Sequence, residues 1–379
     1  MAQNFDVCIR GGGMVGRSLA LLLAAQSLRI GLVAPPPQGT DVRAYSLNTA
    51  SRHLLEGLGA WPDEAHATAI MAMRVWGDDG GFVHFAAPNA DGLTWIVDVP
   101  VLEQLLAQRV AAESRITLLE APVQAPLTVI CEGRASTTRQ SLGIDFDAMP
   151  YHQHALAARV RSSLPHQQQA LQWFHQQHGG LEILALLPLG GANAQEAALV
   201  WSVSPERAAA LQALPAPALN TLLTEASQGV WGQLELISER AVWPLRLAQA
   251  RQWTGTFADG GAWALAGDAA HNIHPLAGLG LNLGLADVQA LSDVLASRRG
   301  ADYWRPVGDR HLMRRYERAR KAGMLPTWVA CDGLQRLFAH PHATVQSLRN
   351  WGLSAFNQAG PLKRWALQQA MNARIPNAV

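Results

Sequence analysis

The sequence predicts an α/β protein with a Rossmann-like domain, an antiparallel-sheet domain and a C-terminal helical extension. A glycine-rich turn at residues 11–16 joins the first apolar strand to a helix, and a second glycine-rich junction at residues 267–284 leads into another helix. Between them lie runs of alternating apolar and polar residues, which are typical of half-buried strands. A chain of 379 residues is too long for one simple core, so two domains and an extension are expected.

The composition indicates a globular protein from a reducing compartment. Hydrophobic residues make up 49% of the chain and charged residues 16%, which argues against disorder. The three cysteines, Cys8, Cys131 and Cys331, have neither paired nor metal-type spacing, so we expect buried thiols. The first residues lack the order of a signal peptide, and no apolar run reaches membrane-spanning length. These features predict a cytoplasmic protein.

The net charge of +1 hides an uneven distribution. From Arg310 to the end, eleven Lys and Arg residues accompany only Glu317 and Asp332, whereas the earlier part holds 19 basic and 27 acidic residues. Two interpretations of the basic tail stay open. It is either a solvated helix face or a patch that meets anionic lipid or a partner protein.

The first element is an apolar strand at residues 5–10, followed by the turn GGGMVG and a strongly helical run. In a G-x-G-x-x-G turn the first glycine permits the turn, the second lets backbone approach a pyrophosphate, and the third lets the helix pack on the strand. The next strand, residues 29–33, ends at Ala34 and lacks the acidic residue that usually binds ribose hydroxyls. The pattern predicts a dinucleotide site formed by Gly11, Gly13, Met14, Val15 and Gly16.

The segment at residues 263–287 reads WALAGDAAHNIHPLAGLGLNLGLAD. Its apolar run ends at Gly267-Asp268, and a loop containing Pro275 and Gly278 then leads into an apolar helix. Such a junction directs backbone N–H groups and the positive end of a helix dipole at a ligand. An electron-rich ring would fit there.

This segment resembles the second flavin-binding motif of the FAD-dependent aromatic hydroxylases (group A flavoprotein monooxygenases), and above all that of the ubiquinone-biosynthesis hydroxylase family. The resemblance implies that Asp268 holds a hydroxyl of the FAD ribityl chain and that residues 275–282 run along the isoalloxazine ring. It makes Pro275 and Gly278 the lining of the flavin and oxygen site, with no side-chain nucleophile. The further cofactor-binding residues that it implies are Arg43, Glu132, Gly267, Asp268, Gly280, Leu281 and Asn282.

Other segments extend the resemblance to nearly the whole chain. The stretch VRAYSLNTASRHLLEGLGAW at residues 42–61 contains Arg43 and a helix at residues 48–58, and a strand ending in Glu132-Gly133 matches a further fingerprint. The resemblance implies a Rossmann-like FAD-binding domain of three-layer architecture at residues 1–70, 96–148 and 243–300. A substrate domain is expected at residues 71–95 and 149–242, and C-terminal helices at residues 301–379.

Periodicity gives the remaining elements. Two strands joined across residues 78–81 are expected within residues 71–87, then a helix at residues 101–111 and one strand in and one out between residues 116 and 131. The substrate sheet is expected to contain strands at residues 154–160, 181–189 and 197–203. A helix pair at residues 303–339, broken near Gly323 to Pro326, should precede an amphipathic basic segment at residues 346–373.

The function implied by the resemblance is ring hydroxylation of a polyprenylated phenol or quinol in ubiquinone biosynthesis. The cofactor would be FAD, with NAD(P)H and dioxygen as co-substrates and a flavin hydroperoxide as the oxygen donor. Other ubiquinone-biosynthesis proteins and, through the basic C-terminal helices, the inner face of the membrane are the implied partners.

Four departures from the family pattern keep a second interpretation open. These are Ala34, Val99 in place of a polar residue before a helix, Leu279 in place of glutamine, and the shortened segment at residues 116–131. A degenerate member that binds FAD weakly or not at all would serve as a partner subunit of an active hydroxylase. The spacing of His271 and His274 is not accompanied by further metal ligands, and no nucleic-acid-binding motif is present, so we expect neither a metal nor a nucleic-acid partner.

Overall fold

The structure is a computed structural model that describes residues 4–34, 41–77, 81–177, 180–272, 280–300 and 302–339. In chain order the strands are β1 (Val7–Arg10), β2 (Ile30–Val33), β3 (Ala44–Leu47), β4 (Ala67–Ile70), β5 (Ala72–Trp76), β6 (Phe82–Ala86), β7 (Thr94–Asp98), β8 (Ile116–Leu119), β9 (Leu127–Ile130), β10 (Phe146–Ser162), β11 (Gln169–Gln177), β12 (Gly180–Leu189), β13 (Glu196–Val203), β14 (Leu234–Leu236), β15 (Ala241–Ala250), β16 (Thr254–Thr256), β17 (Ala262–Leu265) and β18 (His271–Asn272). The helices are α1 (Met14–Ala24), α2 (Thr49–Gly57), α3 (Val99–Ala112), α4 (Thr137–Ser141), α5 (Pro205–Ala213), α6 (Ala216–Ala226), α7 (Gly280–Ala296) and α8 (Arg310–Ala339).

The first sheet is Rossmann-like and has the strand order β16-β17-β9-β1-β2-β8. Its strands are parallel except for the antiparallel edge strand β16. Short apolar runs such as VCIR, LTVI and AWAL are buried along most of their length, as parallel strands covered on both faces require. Helices α1, α3 and α7 pack next to one another beside this sheet. The predicted α/β class is confirmed.

The largest sheet has the order β18-β15-β10-β13-β12-β11-β5-β6, and β14 pairs with β10. All its pairs are antiparallel except the parallel pair of β11 and β5. One face packs with helices α5 and α6 around the fully buried Trp173 and Trp201. A small sheet of order β3-β7-β4 contacts strand β12 of the large sheet, and Arg159 of β10 donates to Asp98 of β7 at 2.7 and 3.0 Å. That ion pair joins the large sheet to the small one.

Two local expectations were incomplete or wrong. Strand β11 was missed because its sequence, QALQWFHQQ, is rich in glutamine and lacks a regular alternation of apolar and polar residues. The helix pair expected at residues 303–339 is instead the single helix α8, preceded by a turn-rich loop. Gly323 and Pro326 both lie inside α8, where a glycine costs about 1 kcal/mol and a proline about 3 kcal/mol relative to alanine. The buried side chains of Tyr316, Arg320 and Met324 hold the first half of α8 against the body.

The C-terminal region is helical as far as Ala339. The amphipathic segment expected at residues 346–373 lies outside the described residues. Within the part of the chain that the structure describes, none of the helices combines the length and the apolar character needed to cross a bilayer.

Candidate functional site

The positions of the first turn are occupied by glycine for different structural reasons. A Cβ at Gly11, where φ is +118°, would lie 2.3 Å from the carbonyl oxygen of Cys131, and one at Gly16 would lie 1.9 Å from that of Gly11. The fold itself therefore excludes a side chain at both positions. A Cβ at Gly13, in contrast, would have no atom of the described residues within 4 Å apart from its own neighbours in the chain. The space in front of Gly13 is open, as a seat for a ligand requires.

The N-terminus of α1 faces the same turn. Gly13 is its N-cap residue, no side chain caps the helix, and its first turn contains no acidic residue. The first N–H groups of a helix have no partner within the helix, and the helix dipole places positive charge at this end. Together with the open space at Gly13, this arrangement suits the pyrophosphate of a dinucleotide.

The second glycine-rich segment lies against the first through Val15. A Cβ at Gly267, where φ is +62°, would lie 3.2 Å from the side chain of Val15, and one at Gly284 would lie 2.7 Å from it. Both glycines therefore leave room for one valine side chain. Three of the residues that the sequence predicted to be near the cofactor, Val15, Gly267 and Asp268, are thereby brought to one place.

A buried carboxylate, that of Asp287, holds the Gly267 turn in place through a hydrogen bond. Asp287 of α7 accepts hydrogen bonds from the backbone N–H of Gly267 at 2.8 Å, from His271 Nε2 at 2.6 Å and from Arg320 Nε at 2.7 Å. Burial alone would raise the pKa of Asp287, but His271 and Arg320 outweigh it and the pKa is lowered. The carboxylate is therefore charged and links α8 to the turn. Sequence reasoning missed this role, although an acidic residue within an apolar helix was the available signal.

Asp268 has a different environment from Asp287. Its side chain is 38% exposed and lies 3.2 Å from Arg134 Nε. Next to it, Arg139 Nη1 donates to the carbonyl oxygen of Ala269 at 3.0 Å. The fingerprint that begins at Glu132 thus borders the Gly267-Asp268 turn. An exposed carboxylate at this edge is available to a hydroxyl of a ligand.

The carboxylate of Glu132 is hydrogen-bonded to other residues of the protein. Its carboxylate accepts hydrogen bonds from Arg10 Nε at 2.9 Å, from Ser136 Oγ at 2.7 Å, and from the backbone N–H of Thr138 at 3.0 Å and its hydroxyl at 2.5 Å. Burial alone would raise the pKa of Glu132, but the hydrogen bonds from Thr138 and Ser136 and the charge of Arg10 lower it. The carboxylate therefore shapes the turn before α4.

Glu132→Gln is expected to reduce the free energy of unfolding by about 1–2 kcal/mol at neutral pH. Because the folded pKa is lowered, the stabilisation is present above the unfolded pKa and is lost as pH falls through the folded pKa. Urea unfolding at neutral pH and at about pH 3 should show a difference between wild type and variant that shrinks in acid. The exposed Glu120 supplies the control Glu120→Gln, and an equal loss in the control would contradict the expectation.

Arg43 lies in a cluster of charges and ring groups at the start of β3. Its Nε contacts the two Asp41 oxygens at 2.8 and 3.0 Å, and its Nη1 donates to the Tyr45 hydroxyl at 3.2 Å. Hydrogen bonding to Asp41 raises the pKa of Arg43. Burial raises the pKa of Tyr45, and the field of Asp268 also acts on this phenol. Arg43 is thus held by Asp41 and Tyr45 at the start of β3.

Asn282 joins the start of α7 to the β3–α2 junction. Its Oδ1 accepts from the backbone N–H of Asn48 at 2.9 Å and from Ser51 Oγ at 2.8 Å, and its Nδ2 donates to the carbonyl oxygen of Ser46 at 2.7 Å. The side chain positions α7 relative to the Arg43 strand. The neighbouring Leu281 is buried in the same core as Met14, and a Cβ at Gly280 would meet no atom of the described residues within 4 Å, apart from nearby residues of the chain itself.

Comparison with known proteins agrees with this geometry. The family model described as FAD binding domain matches residues 99–323. Ubiquinone hydroxylase UbiL of Rhodospirillum rubrum is 30% identical, with 97% of this chain and 89% of the relative covered. The chain belongs to the FAD-dependent ubiquinone hydroxylase family. The 3-demethoxyubiquinol 3-hydroxylase of Escherichia coli is 31% identical, with 97% and 99% covered.

The fold of this hydroxylase-family chain is also found in solved structures. The p-nitrophenol 4-monooxygenase PnpA of Pseudomonas putida superposes with a TM-score of 0.77 at 15% sequence identity, covering 99% of this chain and 100% of the other. Identity this low supports the fold alone.

The four departures from the family pattern that the sequence shows lie in different parts of the chain. Ala34 directly follows β2, and its Cβ lies 2.3 Å from the position that a Cβ of Gly12 would occupy, so the chain is closely packed at the end of this strand. Val99 is fully buried in the first turn of α3. The short segment at residues 116–131 contains the predicted one strand in and one out, β8 and β9. Pro275, Gly278, Leu279 and His274 lie outside the described residues.

Proposed function

We propose that this protein is an FAD-dependent monooxygenase that hydroxylates the ring of a polyprenylated phenol or quinol in ubiquinone biosynthesis. The observation that carries the proposal is the contact between the two glycine-rich turns through Val15, beside the open space at Gly13. NAD(P)H is proposed as the reductant and dioxygen as the oxygen source. Bound FAD supplies the redox and oxygen-transfer chemistry.

Different residues would hold different parts of FAD. The α1 N-terminus and the Gly13 backbone would hold the pyrophosphate, and Asp268 would accept from a ribityl hydroxyl. Asp287 keeps the Gly267 N–H in place through its 2.8 Å hydrogen bond. Gly280, Leu281 and, outside the described residues, Pro275 and Gly278 are proposed to line the ring. No side chain acts as a nucleophile in this proposal.

The large sheet is proposed to supply the apolar side of the substrate site. Strand β18 directly follows the Gly267–Ala269 turn and pairs with β15, so the sheet starts at the proposed cofactor segment. Because side chains alternate along a strand, Ala155 points away from the face that α5 and α6 cover, and it clusters with Tyr151, Leu245 and Leu247. This face would hold the ring and exclude water from it.

A polyprenyl chain is apolar, so the substrate is expected to reside in the bilayer. We therefore include contact of the basic C-terminal region with the inner face of the membrane, and association with other ubiquinone-biosynthesis proteins, in the proposal. The excess of eleven basic over two acidic residues from Arg310 onward supports an attraction to anionic lipid.

The visible spectrum of the purified protein tests the proposal directly. We expect flavin absorption bands that bleach anaerobically on addition of NADH or NADPH and return with oxygen, and hydroxylation of a short-chain prenylated phenol. Deletion of the gene is expected to lower quinone content and to accumulate the unhydroxylated precursor. A colourless protein that ignores added FAD would contradict the cofactor assignment, and unchanged quinone content would contradict the pathway.

A further inference from the structure

Two neighbouring aromatic side chains stand in solvent between α7 and α8. Tyr303 is 77% exposed and Trp304 is 62% exposed, the two largest exposures among the large hydrophobic side chains of the described residues. Single exposed apolar residues are normal on protein surfaces, but a contiguous exposed group marks an interaction site. The exposed pair therefore indicates an interaction site.

The loop that bears the pair is firmly attached to the body. Val307 is buried in the main core, and a Cβ at Gly308 would lie 2.3 Å from the carbonyl oxygen of Pro126. Ser297 Oγ donates to Asp302 at 2.8 Å, and Arg298 Nε donates to the carbonyl oxygen of Arg305 at 2.7 Å. The backbone on both sides is thus fixed while the two rings point outward. They are held in place for contact with something else.

Basic side chains lie beside the rings. The guanidinium of Arg305 lies 4.1 Å from the centre of the Trp304 ring. On α8, Arg310, Arg314 and Arg318 are exposed at intervals of four residues, which places them along one face of the helix. No acidic side chain of the described part of the chain forms an ion pair with these three. Over residues 298–321 there are nine basic and three acidic residues.

The loop that bears the rings lies beside the turns of α8 that bear the arginine stripe. Asp302, immediately before Tyr303, lies 3.6 Å from Arg315 Nη1 of α8 and 3.1 Å from Arg305 Nε. The loop therefore runs along the first turns of α8. We call Tyr303, Trp304, Arg310, Arg314 and Arg318 the aromatic–arginine surface.

We propose that the aromatic–arginine surface docks on an anionic phospholipid bilayer. Tyrosine and tryptophan rings prefer the boundary between headgroups and acyl chains, where an apolar body and a polar tip are both satisfied. Arginines beside them are attracted by the negative surface potential of anionic lipid. The same chemistry disfavours an apolar protein groove, because three desolvated arginines would each need a partner. The inference gives a location to the membrane contact of the proposed function, yet its test does not depend on hydroxylation.

Vesicle co-sedimentation of the purified full-length protein tests the proposal. We expect binding to phosphatidylcholine vesicles that contain about one third phosphatidylglycerol, weak binding to pure phosphatidylcholine, and release at about 0.5 M salt. Tyr303→Ser/Trp304→Ser and Arg314→Glu/Arg318→Glu are each expected to weaken binding at least about tenfold. Brominated acyl chains should quench part of the tryptophan emission of wild type, and this part should be absent in Trp304→Phe.

The matched control is Leu118→Ser/Arg29→Glu. Leu118 is 59% exposed and the Arg29 side chain 60% exposed, and Leu118 lies on β8, at the opposite edge of the first sheet from β16, which contacts α8. The control should bind vesicles like wild type, and all variants should keep the wild-type flavin spectrum and melting temperature. Equal losses in control and test variants, unchanged binding in the aromatic variant, or no vesicle binding by wild type would each overturn the proposal. The last outcome would assign the surface to a protein partner and leave the hydroxylase activity assay unaffected.

Discussion

Gly13→Thr is expected to weaken FAD binding strongly without unfolding the protein. Among the described residues, a Cβ at Gly13 would meet no atom within 4 Å apart from its chain neighbours, so we expect a threonine there to be tolerated when FAD is absent. Threonine is about as good an N-cap as glycine, and its hydroxyl can accept from the first-turn N–H groups of α1. The threonine side chain would take up space at Gly13, and its hydroxyl would occupy the N–H groups of α1. A pyrophosphate needs both. We expect FAD affinity to fall at least about a hundredfold, or about 3 kcal/mol, in a titration of the FAD-free protein.

Gly16→Ala is the matched comparison, because it is expected to lower the stability of the protein whether or not FAD is bound. Its Cβ would lie 1.9 Å from the carbonyl oxygen of Gly11, so α1 must move away from β1 whether or not a cofactor is present. Overpacking of this kind costs about 3 kcal/mol of unfolding free energy, whereas Gly13→Thr should change it by less than about 0.5 kcal/mol. If both variants lose stability to the same extent, the space at Gly13 is not a ligand seat.

The first turn was predictable because its chemistry is local. The roles of Gly11, Gly13 and Gly16 follow from their spacing, and the positions of α1 and β2 follow from short apolar runs. The predicted strands at residues 71–87 and the helix starting near residue 101 likewise depend on patterns within a few residues. Periodicity carries such information directly.

The supports of the turn could not be predicted because their partners are distant in sequence. Asn282 bonds to residues more than 230 positions earlier, and Arg320 reaches Asp287 from another helix. No spacing rule encodes such pairs in a single sequence. Glu132 was named as a cofactor-binding residue from the family resemblance, and the contacts of its carboxylate with Arg10, Ser136 and Thr138 could not be predicted from the sequence.

Asp287→Asn is expected to have the largest effect on stability. The carboxylate is fully buried between His271 and Arg320, and an amide of the same shape leaves the guanidinium without its counter-charge. Removing one partner of a buried pair costs about 3–5 kcal/mol. Urea unfolding of the FAD-free variant measures this loss. Asp293→Asn, at an exposed position of the same helix, should change the unfolding free energy by less than about 0.5 kcal/mol.

The pH dependence and a second variant separate charge from shape at Asp287. Its folded pKa is lowered, so its stabilisation is present above the unfolded pKa and disappears as pH falls through the folded value. Wild type should therefore lose its advantage over Asp287→Asn only in strong acid. Adding Arg320→Met removes the uncompensated guanidinium, so the double variant is expected to be more stable than the sum of the single losses predicts. Additive losses would show that Arg320 and Asp287 are not coupled.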